Sequence, residues 1–184
     1  MKKDEGIIKN LVSLLPVFLM ILFTLVILQI QVHQASSVFI EDALVASNLA
    51  SAVINVEEYG ISHQLQISDP KEACNLFKRA LQANLSLNDQ WVSQNSSLIF
   101  GLVTLDEYSI YEVRGNDIVQ YTFPNGRPEN MYTTEYKGGV GNVEAADGTR
   151  IESTSVYSKI SFQVKFFNRV IDVYKQKCVD IVEN

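Results

Sequence analysis

Side chains able to do acid–base, nucleophilic or metal chemistry are few in this chain and poorly grouped. It has two histidines, His33 and His63, and neither has a carboxylate or cysteine neighbour at zinc-ligand spacing. No serine stands in a nucleophile elbow and no glycine-rich loop opens a helix. Acidic pairs occur at Glu57-Glu58 and Asp106-Glu107. Adjacent residues on a helix or strand diverge in direction, so these pairs read as solvated faces rather than as an acid and base around one bond. The stretch from Val140 to Gly148 carries Asn142, Glu144 and Asp147, oxygen ligands that suit Ca²⁺. It lacks the Asp-x-Asp-x-Asp-Gly register, however, and reads as a flexible polar loop. No catalytic, cofactor-binding or metal-ligating set is assigned, and the chain reads as a non-enzyme.

Charge removes another class. The net charge is −6 over 184 residues, and no Lys/Arg cluster is present to neutralise a phosphate backbone, so nucleic acid is not an expected partner. The two cysteines, Cys74 and Cys178, leave two readings open. One is a disulfide closing a loop of about a hundred residues, stabilising by up to ~4–5 kcal/mol; the other is a pair of buried thiols acting as small hydrophobes.

The elements that must position all this begin with Leu11–Ile30, twenty residues of which Ser13, Thr24 and Gln29 alone are polar. As a helix this run is roughly 30 Å long, the thickness of a hydrocarbon core. No charged residue occurs between Lys9 and Glu41, and Pro16 falls in the second turn, where a lost backbone bond is more easily re-satisfied. The run is longer than the 7–15 residues of a signal-peptide core, so a retained anchor is expected over cleavage near Ala35-Ser36-Ser37. Lys2, Lys3 and Lys9 place residues 1–10 in the cytoplasm by the positive-inside bias and the remainder outside it, in an extracytoplasmic or cell-surface location. A stub of about ten residues holds no signalling domain.

Beyond the anchor the apolar line Val32, Ala35, Phe39, Ala43, Ala46, Ala50, Val53 steps by three and four residues, the spacing of one helix face. With no Gly or Pro from 17 to 59, residues 31–59 are expected to continue the helix as a stem ending at Tyr59-Gly60. Its small residues, Ala35, Ser36, Ala43, Ala46, Ser47 and Ala50, form a seam on which another helix could pack closely. The domain from 60 to 184 opens with Asp69-Pro70-Lys71-Glu72, an N-cap, a first-turn proline and the returning member of a capping box, leading a second helix to about Asn84. Strands follow: Leu98–Leu105, Tyr108–Val113, Ile118–Phe123 after the turn Arg114–Asp117, Met131–Tyr136, the alternating run Val156–Phe166, and Val170–Val182. The fold class is α+β, a long N-terminal transmembrane and stem helix followed by a short helix and an antiparallel sheet of four to six strands. Asn84-Leu-Ser and Asn95-Ser-Ser match glycosylation sequons, a pattern too frequent by chance to carry weight.

The start of the anchor resembles a known family. Lys2-Lys3-Asp4-Glu5-Gly6, then the apolar helix with Leu14-Leu15-Pro16, then an Ala-rich continuation and a β-rich carboxyl domain, is similar to the TadE-like pseudopilins of tight-adherence pilus systems. The likeness covers residues 1–55, with Leu11 where the family usually has Glu. It implies a pilin-like fold, cleavage after Gly6 to leave Ile7 as the amino terminus, and service as a minor component of a pilus or secretion apparatus. The expected partners are then the membrane and other pilin-like or pilus-assembly subunits, met through the N-terminal helix. The alternative is a membrane-anchored extracytoplasmic module that binds a ligand or partner.

Overall fold

The computed structural model describes the backbone of residues 2–94, 99–166 and 169–181, and the side chains of 14–165 and 169–181 within that set. Three helices precede the strands: α1 (Lys2–Ser51), α2 (Val56–Ser62) and α3 (Pro70–Asn84). The strands are β1 (Phe100–Arg114), β2 (Asp117–Pro124), β3 (Tyr132–Tyr136), β4 (Ser155–Phe166) and β5 (Arg169–Asp180). They form one antiparallel sheet in the order β3-β2-β1-β4-β5. The fold is α+β. Residues 1–38 and 39–184 form separate compact units.

In the first unit α1 is long and apolar enough to cross a membrane, and every residue from Leu14 to Ile30 is exposed. Side chains this apolar, left uncovered by protein, support a membrane anchor. Thr24 does not spoil the run, because its hydroxyl donates to the Met20 carbonyl 2.8 Å away, within the helix itself.

In the second unit the sheet has two covered faces. One packs Tyr108 and Ile110 of β1, Phe123 of β2 and Val156, Ile160 and Phe162 of β4 against Ile40, Ala43 and Leu44 of α1 and Phe77 and Leu81 of α3. At the opposite face Tyr111, Ile118, Tyr157 and Cys178 are covered by Ala145 and Ile151 of the segment after β3, with Val140 and Val143 alongside. The stretch that reads as a flexible polar loop is therefore a lid on the second core. Its Asp147 carboxylate accepts from the backbone N–H of Cys178 and of Thr149, which anchors the lid to the edge strand.

The stem helix ends at Ser51, short of the expected Tyr59-Gly60. Residues 53–55 leave the helix because a better set of bonds exists: Asn55 N–H donates to the Gln66 carbonyl, Ser68 N–H to the Val53 carbonyl, and Ile54 pairs with Ile67. Asn55 also caps α2, its Oδ1 accepting from Glu58 N–H at 3.1 Å. Asparagine is a preferred N-cap for this reason. Gly60 lies inside α2, and the helix instead stops at His63, which takes the left-handed conformation with φ 54° and bonds Tyr59 O.

Helix α3 begins where expected. Asp69 Oδ1 accepts from Lys71 and Glu72 N–H at 2.8 and 3.3 Å. The reciprocal half of the capping box is not formed, since Glu72 is held by Arg79 at 2.6 Å. The two runs expected as separate strands, 98–105 and 108–113, fall from Phe100 onward in one strand, β1, which carries a bulge between Leu105 and Glu107. Leu98 lies outside the described residues. Replacing Asp69 by Ala is expected to cost about 1 kcal/mol of stability, read as a lowered thermal midpoint of the detergent-solubilised protein.

The link between α1 and edge strand β5 titrates. Glu41 accepts from Lys177 Nζ at 2.9 Å and faces Lys175 at 4.0 Å. The Lys177 hydrogen bond and charge hold the Glu41 carboxyl below its ordinary pKa of 4.5. A folded-state pKa below the unfolded one gives stability that is present above the ordinary carboxylate range and lost as pH falls through the lowered value. Glu41→Gln is expected to lower the melting midpoint slightly at pH 7 and leave it unchanged near pH 3.

Candidate functional site

The residues singled out by chemistry scatter across the fold. His33 lies on α1 and His63 serves as the left-handed cap of α2, its ring meeting Tyr59 edge-on at 6.0 Å. Glu57 and Glu58 occupy the first turn of α2, where negative charge is favoured by the helix dipole. Asp106 and Glu107 do not diverge as adjacent residues on a regular strand would. The bulge places both on the sheet face away from the helices, where Asp106 accepts from Ser161 Oγ and Glu107 from Ser109 Oγ. Each carboxylate thus has a hydroxyl partner of its own. Among the described residues no group of three or more His, Cys, Asp or Glu gathers as a metal site would require.

The two cysteines are free, buried and in different cores, Cys74 under α3 and Cys178 on the opposite face of the sheet. A bridge would have to pass through the sheet, so the disulfide reading is replaced by the buried-thiol reading. Burial pushes the Cys74 thiol up to about 11 and the Cys178 thiol up to about 12. The thiolate is the nucleophile, so both thiols are expected to resist alkylation at pH 8 in the folded protein and to react fully in denaturant, as counted by mass spectrometry.

The small-residue seam is split by the fold. The helix face turned to the sheet carries Ile40, Ala43, Leu44, Ser47, Asn48 and Ser51, all buried. Ser51 Oγ accepts from Tyr108 OH at 2.8 Å, Ser47 Oγ accepts from Asn84 Nδ2 at 3.0 Å, and Asn48 Nδ2 donates to Lys177 O at 3.1 Å. Burial pushes the Tyr108 hydroxyl pKa well up, so it stays protonated and donating. Of the seam residues in this unit, Ala43 and Ser47 belong to that buried face. Ala46 and Ala50 are exposed, on one stripe of α1 with Phe39 and Leu49, which keep 44% and 49% of their surface. Ala35, in the first unit, is exposed as well. Asp42 is the charged interruption of the stripe. Gly6 and Ile7 lie in the helical backbone of α1, and their side chains fall outside the described residues.

The seam reaches the buried face at Ala43 and Ser47 but misses Asn48 and Ser51, which are polar by type. The signal available for them was structural in kind, since serine hydroxyls that bond back to a preceding carbonyl lose their need for water. Ser47 Oγ donates to Ala43 O at 2.6 Å and Ser51 Oγ to Asn48 O at 2.7 Å.

The split gives opposite expectations for two alanines one turn apart. Ala43→Leu overpacks the helix–sheet core and is expected to cost about 1–3 kcal/mol. Ala46→Leu points to solvent and is expected to stay within about 0.5 kcal/mol of the parent in denaturant titration.

Comparison of this chain with known protein families, with characterised proteins and with solved structures finds no match.

Proposed function

We propose that the protein is a structural, assembly-type subunit: a membrane-anchored, pilin-like component of a pilus or secretion apparatus, with its carboxyl domain outside the cytoplasm. The observation that carries the reading is the exposed apolar stripe Phe39, Ala46, Leu49 and Ala50 on the side of α1 that the domain does not use. A helix that already buries one face against its own sheet has no internal need for a second apolar face. Other subunits supply the cover. The small residues allow backbones to approach, and Phe39 and Leu49 add most of the area removed from water.

The resemblance of residues 1–55 to the TadE-like pseudopilins supports the same reading and adds processing after Gly6. The basic leader Lys2-Lys3 and the exposed span Leu14–Ile30 support an anchor with its amino end in the cytoplasm. Leu11 leaves the helix without the acidic group that commonly marks its start in that family, so association has to rest on apolar contact.

The test uses the full chain expressed in its own cell envelope. Chemical crosslinking and mild-detergent sizing should show the parent in an assembly, and Leu49→Glu should leave a monomer with an unchanged melting midpoint. A Leu49→Glu variant that still assembles refutes the surface. The amino-terminal residue of the mature protein is expected to be Ile7, and recovery of Met1 refutes the processing step.

A further inference from the structure

The second unit carries an open cleft of about 490 Å³ between α3, the loop that follows it, β1 and the turn after β2. Its size is that of a small-ligand site. Trp91, Lys78, Arg127, Gln90, Asn125 and Thr104 supply its chemistry. Among the described residues no carboxylate lines it, although the chain as a whole carries a net charge of −6. Lys78 Nζ donates to Gly126 O at 2.9 Å, which fixes the ammonium at the cleft wall with further protons to give. The Arg127 guanidinium is exposed and has no partner among the described residues.

One wall is held in a backbone conformation that costs energy. Trp91 sits at φ 61°, a region that costs a bulky L-residue roughly 1–2 kcal/mol. Asn125, at φ 53°, is a residue type that adopts this region readily in a turn. The tryptophan is kept there by its N–H bond to Asn88 O and by Val103 N–H bonding Trp91 O, both 2.9 Å. Asn88 Oδ1 in turn accepts from the N–H groups of Gln90 and Val92. At the floor, Gly126 has φ 60° and lies so close to Leu105 that a Cβ would meet its Cδ2 at 2.3 Å. Strain of this kind concentrates where a surface is shaped for a ligand.

We propose that this cleft binds a carboxylated sugar. The sugar carboxylate meets Arg127 and Lys78 as a charge-assisted pair. The indole of Trp91 offers apolar contact to the C–H face of the ring. Gln90, Asn125 and Thr104 supply neutral donors and acceptors, which suits a ligand whose remaining polar groups are uncharged hydroxyls. An inorganic anion would use the two cations and leave the aromatic and amide groups idle, and a neutral sugar would leave the cations unpaired. The site does not depend on the assembly reading, because the monomer contains all of it.

Trp91 is the one tryptophan of the chain, so its fluorescence reports on the cleft directly. The detergent-solubilised full-length protein is titrated with a galacturonate trisaccharide, with sialyllactose, with a neutral galactose trisaccharide and with inorganic phosphate, and calorimetry repeats each titration without the optical probe. Saturable binding of either acidic sugar, absent for the neutral one, is expected, and which of the two binds tells a uronate source from a sialylated one. Arg127→Gln, at an exposed position that leaves the fold intact, should weaken that binding by about tenfold or more. Phosphate binding as tight as that of the acidic sugar, equal response to the neutral sugar, no saturable binding of either acidic sugar, or an Arg127→Gln variant that binds as the parent does would each overturn the proposal.

Discussion

One uninterrupted helix has to satisfy two solvents, and that constraint orders the rest of the chain. From Leu14 to Ile30 α1 shows apolar side chains on every side, which is stable only where the surroundings are apolar too. From Ile40 to Ser51 the same helix is two-faced, with one face buried in its domain and the other exposed. The change comes from composition. Large branched residues all round give way to a pattern in which Ser, Ala and Asn hold one side and Phe, Leu and Ala the other.

The buried side of that second stretch turns from apolar at Ile40, Ala43 and Leu44 to polar at Ser47, Asn48 and Ser51 for a geometric reason. A serine or alanine at the contact lets a helix sit close to a sheet, and the hydroxyls can be satisfied locally. Ser47 and Ser51 each donate to a carbonyl within α1 and accept from outside it, from Asn84 and Tyr108 respectively. Asn48 reaches the Lys177 carbonyl on β5, a strand at the edge of the sheet, and Glu41 reaches the Lys177 and Lys175 side chains. Edge strands present backbone groups that invite pairing with other chains. Here one of those groups, the Cys178 N–H, is occupied by Asp147 of the segment after β3.

The sheet's two faces are closed by different means. Helices cover one, as the apolar faces of α1 and α3 require. A strandless segment covers the other, with Ala145 and Ile151 inserted between tyrosines and Asp147 fastened to β5 by the Cys178 N–H. That arrangement separates Cys74 from Cys178 and raises both thiol pKa values by burial. It also leaves the outer face around Asp106 and Glu107 polar, with paired hydroxyls rather than a second layer.

Much of the architecture follows from the sequence alone, because it rests on local rules. The apolar span, the Asp69-Pro70 helix start and the one-sided alternation of β4 each depend on neighbours within a few residues. The sequence also suffices to mark residues 11–30 as a candidate membrane span, since that follows from length and composition alone. Tertiary structure alone decided the end of α1, where pairing of Ile54 with Ile67 outweighed helix continuation. It decided the fate of the cysteines, because the sheet lies between them. It also decided which side of α1 faces inward. Hydrophobic periodicity ranks Ala46 and Ala50 above Ser47 and Ser51, yet the serines are buried and the alanines exposed. The reason is that a hydroxyl's cost of burial vanishes once partners are in reach, and those partners, Tyr108 and Asn84, come from other parts of the chain.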